Sequence, residues 1–479
     1  MRWFLEMGSR VGDNLRRSRS AETKRSAAGT PLGILAFETA KTMARLISLY
    51  ESLADSEIGK LRKEVIRSEG VGYLNSKDEG FLLSLACAEK LENLDKIAAT
   101  VTRLGQKCSD SGLTRFGLVY TDLKLGTIDL DQLEYASKEK DRLIAKMEKL
   151  ISATSRLYAA LEALSELEVS EQKMKLWKKN SSAMKTEHPG FDAFQQKIAY
   201  QRKQVHRLRE ASLWSKTFDK GAGLMARFVC VVYARLCSVF RPYISSLPHH
   251  FLPSKNTCHV GNSRSGPIPK TNKLALVRFH SQDSLLFSPE DSGSTSKSGV
   301  FQAARPTTVG GSGLAARYAD VILLAARYLD PAVTISENAR ESLYQMLPEN
   351  LKTLVRLKLR KSERAAAPER DGERLAEGWR EAMRGILEWL APMAHDTLKW
   401  KAESNIEAMK FEAKKSVLLM QTLHFSDREK VEAAIAELLV GLSYIYWYED
   451  RRNCGDGDVD VHDSWSTCRR WSCDRIELR

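Results

Sequence analysis

Hydrophobic residues recur every three or four positions along most of this chain, a spacing that places them on one face of an α-helix. The first such stripe covers residues 35–53, and others follow Ser76 and Ser426. A serine followed three residues later by glutamate, as in Ser76 with Glu79, is typical of a helix start. The pattern predicts a chain built from helices.

The longest stripe covers roughly residues 130–177 and is followed, after the break at residues 188–190, by a basic helix over about 191–213. Two long helices joined by a short break predict an extended helical hairpin. Glycine and proline residues indicate where further helices end. We expect Gly70 to close the helix before it and Pro392 to kink or end another helix.

The most apolar segment covers residues 224–240. Arg227 and Arg235 bracket only seven residues within it, whereas a membrane-spanning helix needs about twenty apolar residues. We therefore expect a buried core helix. The alternative is an amphipathic helix that lies on a membrane surface.

A change in composition divides the chain. Seven of the 13 prolines fall between Arg241 and Pro306 among many serines, and such sequence buries too little apolar surface to order itself. The predicted fold class is all-α, with two helical-bundle domains, a long helical hairpin and a disordered Ser/Pro-rich linker. The predicted order is a basic disordered arm (1–30), an N-terminal helical domain (31–240), the linker (241–306), a C-terminal helical domain (307–450) and an irregular tail (451–479).

Composition supports this division and narrows the class of partner. The 479 residues are 43% hydrophobic and 28% charged, enough for two cores, and the formal net charge of +13 favours acidic partners without choosing among nucleic acid, anionic membrane and protein. The eight cysteines form no Cys-x-x-Cys pair, and the opening residues lack the apolar run of a secretory signal. Both observations predict an intracellular protein.

The sequence contains only weak matches to motifs for nucleotide or metal binding. Residues 311–316 match the loose dinucleotide pattern G-x-G-x-x-A, but no strand is expected before them. Cys454, His462, Cys468 and Cys473 share a short tail at spacings that match no standard zinc pattern. Because no catalytic motif is present, we expect no enzyme, no catalytic residue, no cofactor and no metal ion.

Two basic helical segments, residues 201–209 and 356–361, carry charge that a phosphate backbone would attract. They lack the interleaved aromatic residues of a base-reading surface. We therefore expect nucleic-acid binding to be absent, or non-specific and sensitive to salt.

Two motifs in the same order resemble a known family. The N-terminal domain of the plant PSK SIMULATOR family resembles residues 31–40 (PLGILAFETA), together with residues 61–65 and 68–71. The C-terminal domain of that family resembles residues 308–322 (TVGGSGLAARYADVI), together with residues 343–348. The positions that carry the likeness, interpreted as a family signature, are Gly33, Phe37, Glu38, Gly70, Gly310, Gly311, Gly313, Leu314, Tyr318, Ala319, Tyr344, Leu347 and Pro348.

The resemblance implies a plant protein that promotes growth and cell expansion in connection with phytosulfokine peptide signalling and resides in the nucleus. It implies no catalytic residue. We expect a non-enzymatic scaffold for protein partners, whose identity and oligomeric state the sequence does not define. The alternatives are a peripheral protein on the anionic plasma membrane, using the basic arm and residues 224–240, and a non-specific nucleic-acid-binding protein. The tail beyond Arg452 departs from the family and suggests an altered end of the gene model.

Overall fold

The protein is described by a computed structural model that covers residues 30–126, 139–180, 189–244, 300–330, 342–365, 372–404, 411 and 417–454. Within these residues the chain is helical, and extended pairing is confined to two isolated bridges. The predicted all-α class is confirmed. Residues 1–29 of the predicted arm, most of the linker and residues 455–479 of the tail lie outside the described residues, so the domain boundaries stay predictions.

The first half contains nine helices that we number in chain order: α1 (Leu35–Glu51), α2 (Asp55–Lys60), α3 (Glu69–Leu74), α4 (Glu79–Gly105), α5 (Ser111–Thr114), α6 (Phe116–Lys124), α7 (Lys140–Asn180), α8 (Pro189–Ala211) and α9 (Phe218–Ile244). A π-helical turn, Leu61–Val65, continues α2, and a 3₁₀ turn, Leu213–Ser215, precedes α9. This count refers to the described residues of the first half.

The second half contains α10 (Ala315–Tyr328), α11 (Glu349–Ala365), α12 (Gly372–Ser404) and α13 (Arg428–Cys454). The 3₁₀ turn Val300–Ala303 comes before α10, and two further 3₁₀ turns, Leu419–Gln421 and Leu423–Phe425, come before α13. The turn at Val300–Ala303 falls inside the predicted linker, so ordered structure begins earlier than the change in composition indicates.

Several helix ends differ from the sequence expectation. The cap of α4 is Asp78, whose Oδ1 accepts hydrogen bonds from the N–H groups of Gly80 and Phe81, and not Ser76. At the start of α13, Oδ1 of Asp427 likewise accepts a hydrogen bond from Lys430 N–H, whereas Ser426 was the expected cap. Aspartate is as good a cap as serine, so the spacing located the helix but not the capping residue.

Two expected stops do not occur. Gly70 lies inside α3 and does not end a helix, and α12 continues from Pro392 to Ser404. A kink or an end was expected at Pro392, and the end does not occur, because proline removes only one hydrogen bond and packing on both sides of it retains the helix.

A pair of hydrogen-bonded segments closes the first half, and we call it the first clasp: residues 30–33 with residues 212–218. Leu32 N–H donates to Lys216 O at 2.8 Å, and Gly33 N–H donates to Trp214 O at 3.0 Å. Leu213 N–H donates to the hydroxyl of Thr154 on α7 at 3.1 Å. The clasp therefore ties the start of α1 to the turn before α9.

The second half repeats this arrangement in a second clasp, residues 307–310 with residues 422–428. Val309 N–H donates to Ser426 O, and Gly310 N–H donates to His424 O, both at 2.9 Å. Leu423 N–H donates to the hydroxyl of Thr397 on α12 at 3.0 Å. Each of these three hydrogen bonds has a counterpart in the first clasp, so the two halves are closed by the same backbone arrangement. Helix α12 supplies the threonine in the second half that α7 supplies in the first.

Helix α9 is the core helix of the first half. It packs along α4 and α1, and its apolar side chains, including Phe228, Val229 and Val232, are fully buried. Among the described residues α9 is the one helix that is long and apolar enough to cross a membrane, and 67% of its most apolar window is buried inside the protein. Its burial agrees with the expected core helix.

Buried side chains of both halves form one continuous hydrophobic cluster. The halves meet where α3 and α4 pack against α12 and the 3₁₀ turns before α13. The long helices α7 and α8 pack against each other as the predicted hairpin, with a small separate cluster of Leu157, Ala160 and Val205 at its base. The candidate site lies at the junction of the halves.

Candidate functional site

The glycines of the second clasp are fixed by close packing. A Cβ atom on Gly310 would lie 2.2 Å from Nδ1 of His424, and one on Gly311 would lie 2.0 Å from the carbonyl oxygen of Arg305. Gly313 has φ +73°, a conformation that side-chain-bearing residues rarely adopt. Each of these three predicted signature residues is therefore required by the local geometry.

The same loop cannot cradle a phosphate. Its consecutive N–H groups all donate within the protein: Val309 to Ser426 O, Gly310 to His424 O, Ser312 to Thr308 O, Gly313 to Gly310 O and Leu314 to Val309 O, while Gly311 donates to the Thr308 hydroxyl. Phosphate-binding glycine loops leave these donors free for the ligand. The loop at residues 309–314 begins a packed helix and is not a nucleotide site.

An aromatic stack covers the second clasp. The ring of Phe301 lies parallel to Trp400 at 5.4 Å and close to parallel with His424 at 4.3 Å between centroids. Nε2 of His424 lies 2.8 Å from Phe301 O, so the ring donates its proton to that carbonyl. Burial lowers the pKa of His424, and the stack therefore holds the histidine neutral.

Glu89 on α4 links the first half to the second. Its Oε2 accepts from Leu419 N–H at 2.8 Å, and its Oε1 accepts from Trp400 Nε1 at 3.2 Å. Burial raises the pKa of Glu89 to about 7, although both hydrogen bonds act to lower it. Burial also lowers the pKa of the neighbouring Lys90 to about 8, and Lys90 donates to the Ser52 hydroxyl at 2.8 Å. The carboxyl group of Glu89 therefore titrates near neutral pH in the folded protein.

Asn75 supplies a second link between the halves. Its Nδ2 donates to Met420 O at 2.6 Å, and its Oδ1 accepts from the hydroxyl of Ser426 at 2.7 Å. Nearby, Asp427 N–H donates to Leu74 O at 2.8 Å. The predicted signature residue Gly70 belongs to this contact, because a Cβ there would lie 2.6 Å from Trp389 O.

The signature residues of the first clasp also act in packing. Gly33 has φ +55°, and Phe37 contacts the rings of Tyr158 at 5.3 Å and Trp214 at 5.9 Å between centroids. Glu38 forms an ion pair with Arg103 on α4. Phe37 thus holds α1 against the base of the hairpin, and Glu38 ties α1 to α4.

Tyr318 on α10 heads a polar network in the second half. Its hydroxyl donates to Oε1 of Glu432 at 2.5 Å, and the same carboxylate accepts from Arg428 at 2.7 Å and from Asn350 at 2.8 Å. Burial would raise the pKa of Glu432, but these three hydrogen bonds lower it. Burial, together with the hydrogen bond to Glu432, raises the pKa of Tyr318.

The remaining signature residues organise the start of α11. The ring of Tyr344 lies under Nζ of Lys352 at 5.1 Å and under the guanidinium of Arg356 at 5.7 Å. The carbonyl of Pro348 accepts from Leu351 and Lys352 N–H and so begins the helix. The remaining three signature side chains, Leu314, Ala319 and Leu347, pack against or within the core.

A groove of about 500 Å³ opens at the surface beside α3 and the π-helical turn. Interruptions of this kind in a helix are frequent at functional sites. Carboxylates and cations both line the groove. It is therefore better suited to contact the charged surface of a partner than to enclose a small molecule. Its lining residues include none of the thirteen signature residues and are Ile66, Arg67, Ser68, Glu69, Gly72, Tyr73, Lys77 and Glu79.

The candidate metal ligands of the tail are not tested, because His462, Cys468, Cys473 and the side chain of Cys454 lie outside the described residues. Among the residues that the structure does describe, no group of three His, Cys, Asp or Glu side chains is arranged to hold a metal ion. The basic segments are partly occupied by internal partners: Arg202 pairs with Glu168, and Lys358 pairs with Glu437.

The sequence analysis missed the residues that join the halves. Glu89 offered a signal, because it follows Leu82 and Ala86 at helical spacing and so places a carboxylate on a buried stripe. Asn75 and Phe301 offered none, since a turn and the end of a Ser/Pro-rich segment give no periodicity from which to infer burial.

Comparisons with known proteins agree with this architecture. Residues 34–90 match a domain of unknown function, DUF3475, and residues 308–399 match a protein family of unknown function, DUF668. All the signature residues except Gly33 lie within these two stretches. No solved structure matches the chain. The chain is thus an all-α protein that combines these two domains across one shared core.

Curated relatives match across both halves. The chain is 26% identical over 445 residues to Protein PSK SIMULATOR 1 of Arabidopsis thaliana, covering 90% of this chain and 58% of the relative. It is 27% identical over 437 residues to Protein PSK SIMULATOR 2 of the same plant, covering 87% of this chain and 60% of the relative. The chain is thus similar to PSK SIMULATOR proteins through both halves, and it spans less than two thirds of the length of these relatives.

Proposed function

We propose that this chain is a positive regulator of plant growth and cell expansion linked to phytosulfokine signalling. The observation that supports the proposal is the match to three PSK SIMULATOR proteins, which runs through both halves and the segment between them. The matched domains carry descriptions of unknown function and name no enzyme family.

We further propose that the chain acts as a non-enzymatic scaffold for protein partners. The support is the role of the signature residues, which close clasps, stack rings and begin helices. A chain whose signature residues fix a defined shape, with charged and apolar side chains presented on long helices, is suited to holding partners. We expect the protein in the nucleus, which a fluorescent fusion observed in plant cells would test.

A matched pair of glycine variants tests the proposal in the whole chain. Gly310→Ala introduces a clash with His424, whereas Gly385→Ala adds a methyl group to α12 where no atom lies within 4 Å. The chain and both variants would be expressed in Arabidopsis thaliana plants that lack the three relatives, and cell length would be measured with and without phytosulfokine.

We expect the chain and Gly385→Ala to restore elongation and Gly310→Ala to fail. Proximity labelling from the same fusions should recover a common set of proteins from the two active forms, and Gly310→Ala should lose that set. If the wild-type chain does not change elongation, the growth proposal is wrong. If elongation is restored while no protein is labelled above the level of an unfused labelling enzyme, the scaffold proposal is wrong.

A further inference from the structure

The distal half of α7 exposes a stripe of side chains on the side that faces away from α8. Its members follow each other at steps of three and four residues and therefore lie on one helix face. The base of the hairpin packs through Leu157, Ala160 and Leu164, which lie on the opposite face. The exposed stripe consists of Glu162, Ser165, Glu166, Val169, Gln172, Lys173 and Leu176.

Nearer the body of the protein, the same face is partly covered, with Tyr158 40% exposed. Tyr158 lies on it and contacts the rings of Phe37 at 5.3 Å and Phe411 at 5.5 Å between centroids. Further along, among the described residues, Val169 is 47% exposed and Leu176 is 62% exposed. Apolar side chains that continue a packed face into solvent indicate a surface that a further helix covers.

The charges along the stripe are ordered. Glu162 and Glu166 precede Val169, and Lys173 follows it. A two-fold contact makes residue i of one copy meet residue j of the other, and residue j meet residue i. When two such stripes run antiparallel and cross at Val169, each Glu166 faces the region of Gln172 and Lys173, and each Leu176 faces Glu162.

We propose that this stripe binds the same stripe of a second copy of the chain, in an antiparallel pair centred on Val169. A parallel pair would place like charges opposite each other, which is unfavourable. An anionic membrane would select a face of uniform positive charge, and this stripe carries two carboxylates. The self-complementary order of charge therefore favours a second copy over a lipid surface.

The contact is short, and this determines its strength. From Glu162 to Leu176 the helix rises by about 21 Å, far less than the length of a stable coiled coil. We therefore expect a weak dimer that forms at high protein concentration and dissociates as salt rises, because exposed ion pairs are screened.

Charge reversal in the full-length protein tests the pairing by sedimentation velocity over a range of concentrations. Lys173→Glu places two glutamates opposite each other twice in the dimer, and we expect the dissociation constant to rise by about tenfold or more. The double variant Glu166→Lys with Lys173→Glu exchanges the two charges and should restore dimerisation. Lys203→Glu makes the same change of charge at an exposed position of α8 and should leave it unaltered.

Cross-linking gives an independent readout. Val169→Cys should form a covalent dimer under mild oxidation, because the two introduced thiols lie near the two-fold axis, whereas Lys203→Cys and the wild-type chain should not. Circular dichroism of each variant would confirm that its helices are retained. A wild-type chain that stays monomeric at every concentration overturns the proposal, as does a folded double variant that remains as weakly associated as Lys173→Glu.

Discussion

The two clasps make the same hydrogen bonds around different side chains. Trp214 in the first clasp corresponds to His424 in the second, and Gly33 corresponds to Gly310. Gly33 has open space around its α-carbon, whereas Gly310 is pressed against the His424 ring. The two clasps therefore share their backbone hydrogen bonds, and they differ in how closely side chains pack against the clasp glycine.

The halves also differ in what separates their clasp segments. In the first half the chain extends into the α7–α8 hairpin before it returns to the turn at Trp214, whereas in the second half α12 is followed by two short 3₁₀ turns. The first half thus carries a projecting hairpin between its clasp segments, whereas the described residues of the second half show α12 and two short 3₁₀ turns there. The predictions below test how far the two halves are equivalent.

The largest difference is expected between the two clasp glycines. Gly310→Ala should lower the free energy of unfolding by about 3 kcal/mol, because the methyl group would overlap the His424 ring and backbone oxygen. Gly33→Ala should cost only about 1 kcal/mol, the strain of a positive φ without a clash. Urea denaturation of the purified chain would measure both. Equal losses would show that the second clasp is no tighter than the first.

A smaller effect is expected at the link between the halves. Because the pKa of Glu89 is raised to about 7 in the folded state, its contribution is fully present below its unfolded pKa and is lost as pH rises through 7. We expect about 2 kcal/mol to be lost between pH 5 and pH 8. Glu89→Gln removes the titration and keeps one acceptor oxygen, while its NH2 group faces the other N–H donor at a cost that does not depend on pH.

The measurement is the difference in unfolding free energy between wild type and Glu89→Gln at each pH. This difference isolates Glu89 from His424, whose lowered pKa acts in the opposite direction by removing stability as pH falls below about 6.5. A difference that does not change between pH 5 and pH 8 would contradict the assignment of a near-neutral pKa to Glu89.

The smallest effect is expected from the two threonines that hold the clasp turns. Thr154→Val and Thr397→Val each leave a buried N–H, of Leu213 or Leu423, without its acceptor. We expect each to lower the unfolding free energy by about 1–2 kcal/mol, and by similar amounts. Hydrogen exchange of the two amides would sharpen the comparison, since exchange should accelerate at Leu213 only in the first variant and at Leu423 only in the second.

The periodic parts of this fold were predictable from the sequence. Periodicity located α1 and α9 because most of their apolar residues face one core. It also located α7, although the apolar residues of α7 divide between the main core, the small hairpin cluster and solvent. The helix caps were misplaced by one or two residues, because Ser76 and Asp78 both satisfy capping chemistry and only the backbone geometry decides between them. The family signature identified residues that shape the clasps, while their partners, such as His424 and Asn75, lie far away in sequence and carry no local signal.

The clasps have a consequence for synthesis on the ribosome. The first clasp joins residues near 30 to residues near 216, so the start of α1 has no partner until most of the first half has been made. At about 5–20 residues per second this delay lasts roughly 10 to 40 seconds. The contact of Leu74 with Asp427 waits longer still. The first half must therefore close alone, with the surface of α3 and α4 exposed, before the second half emerges to cover it.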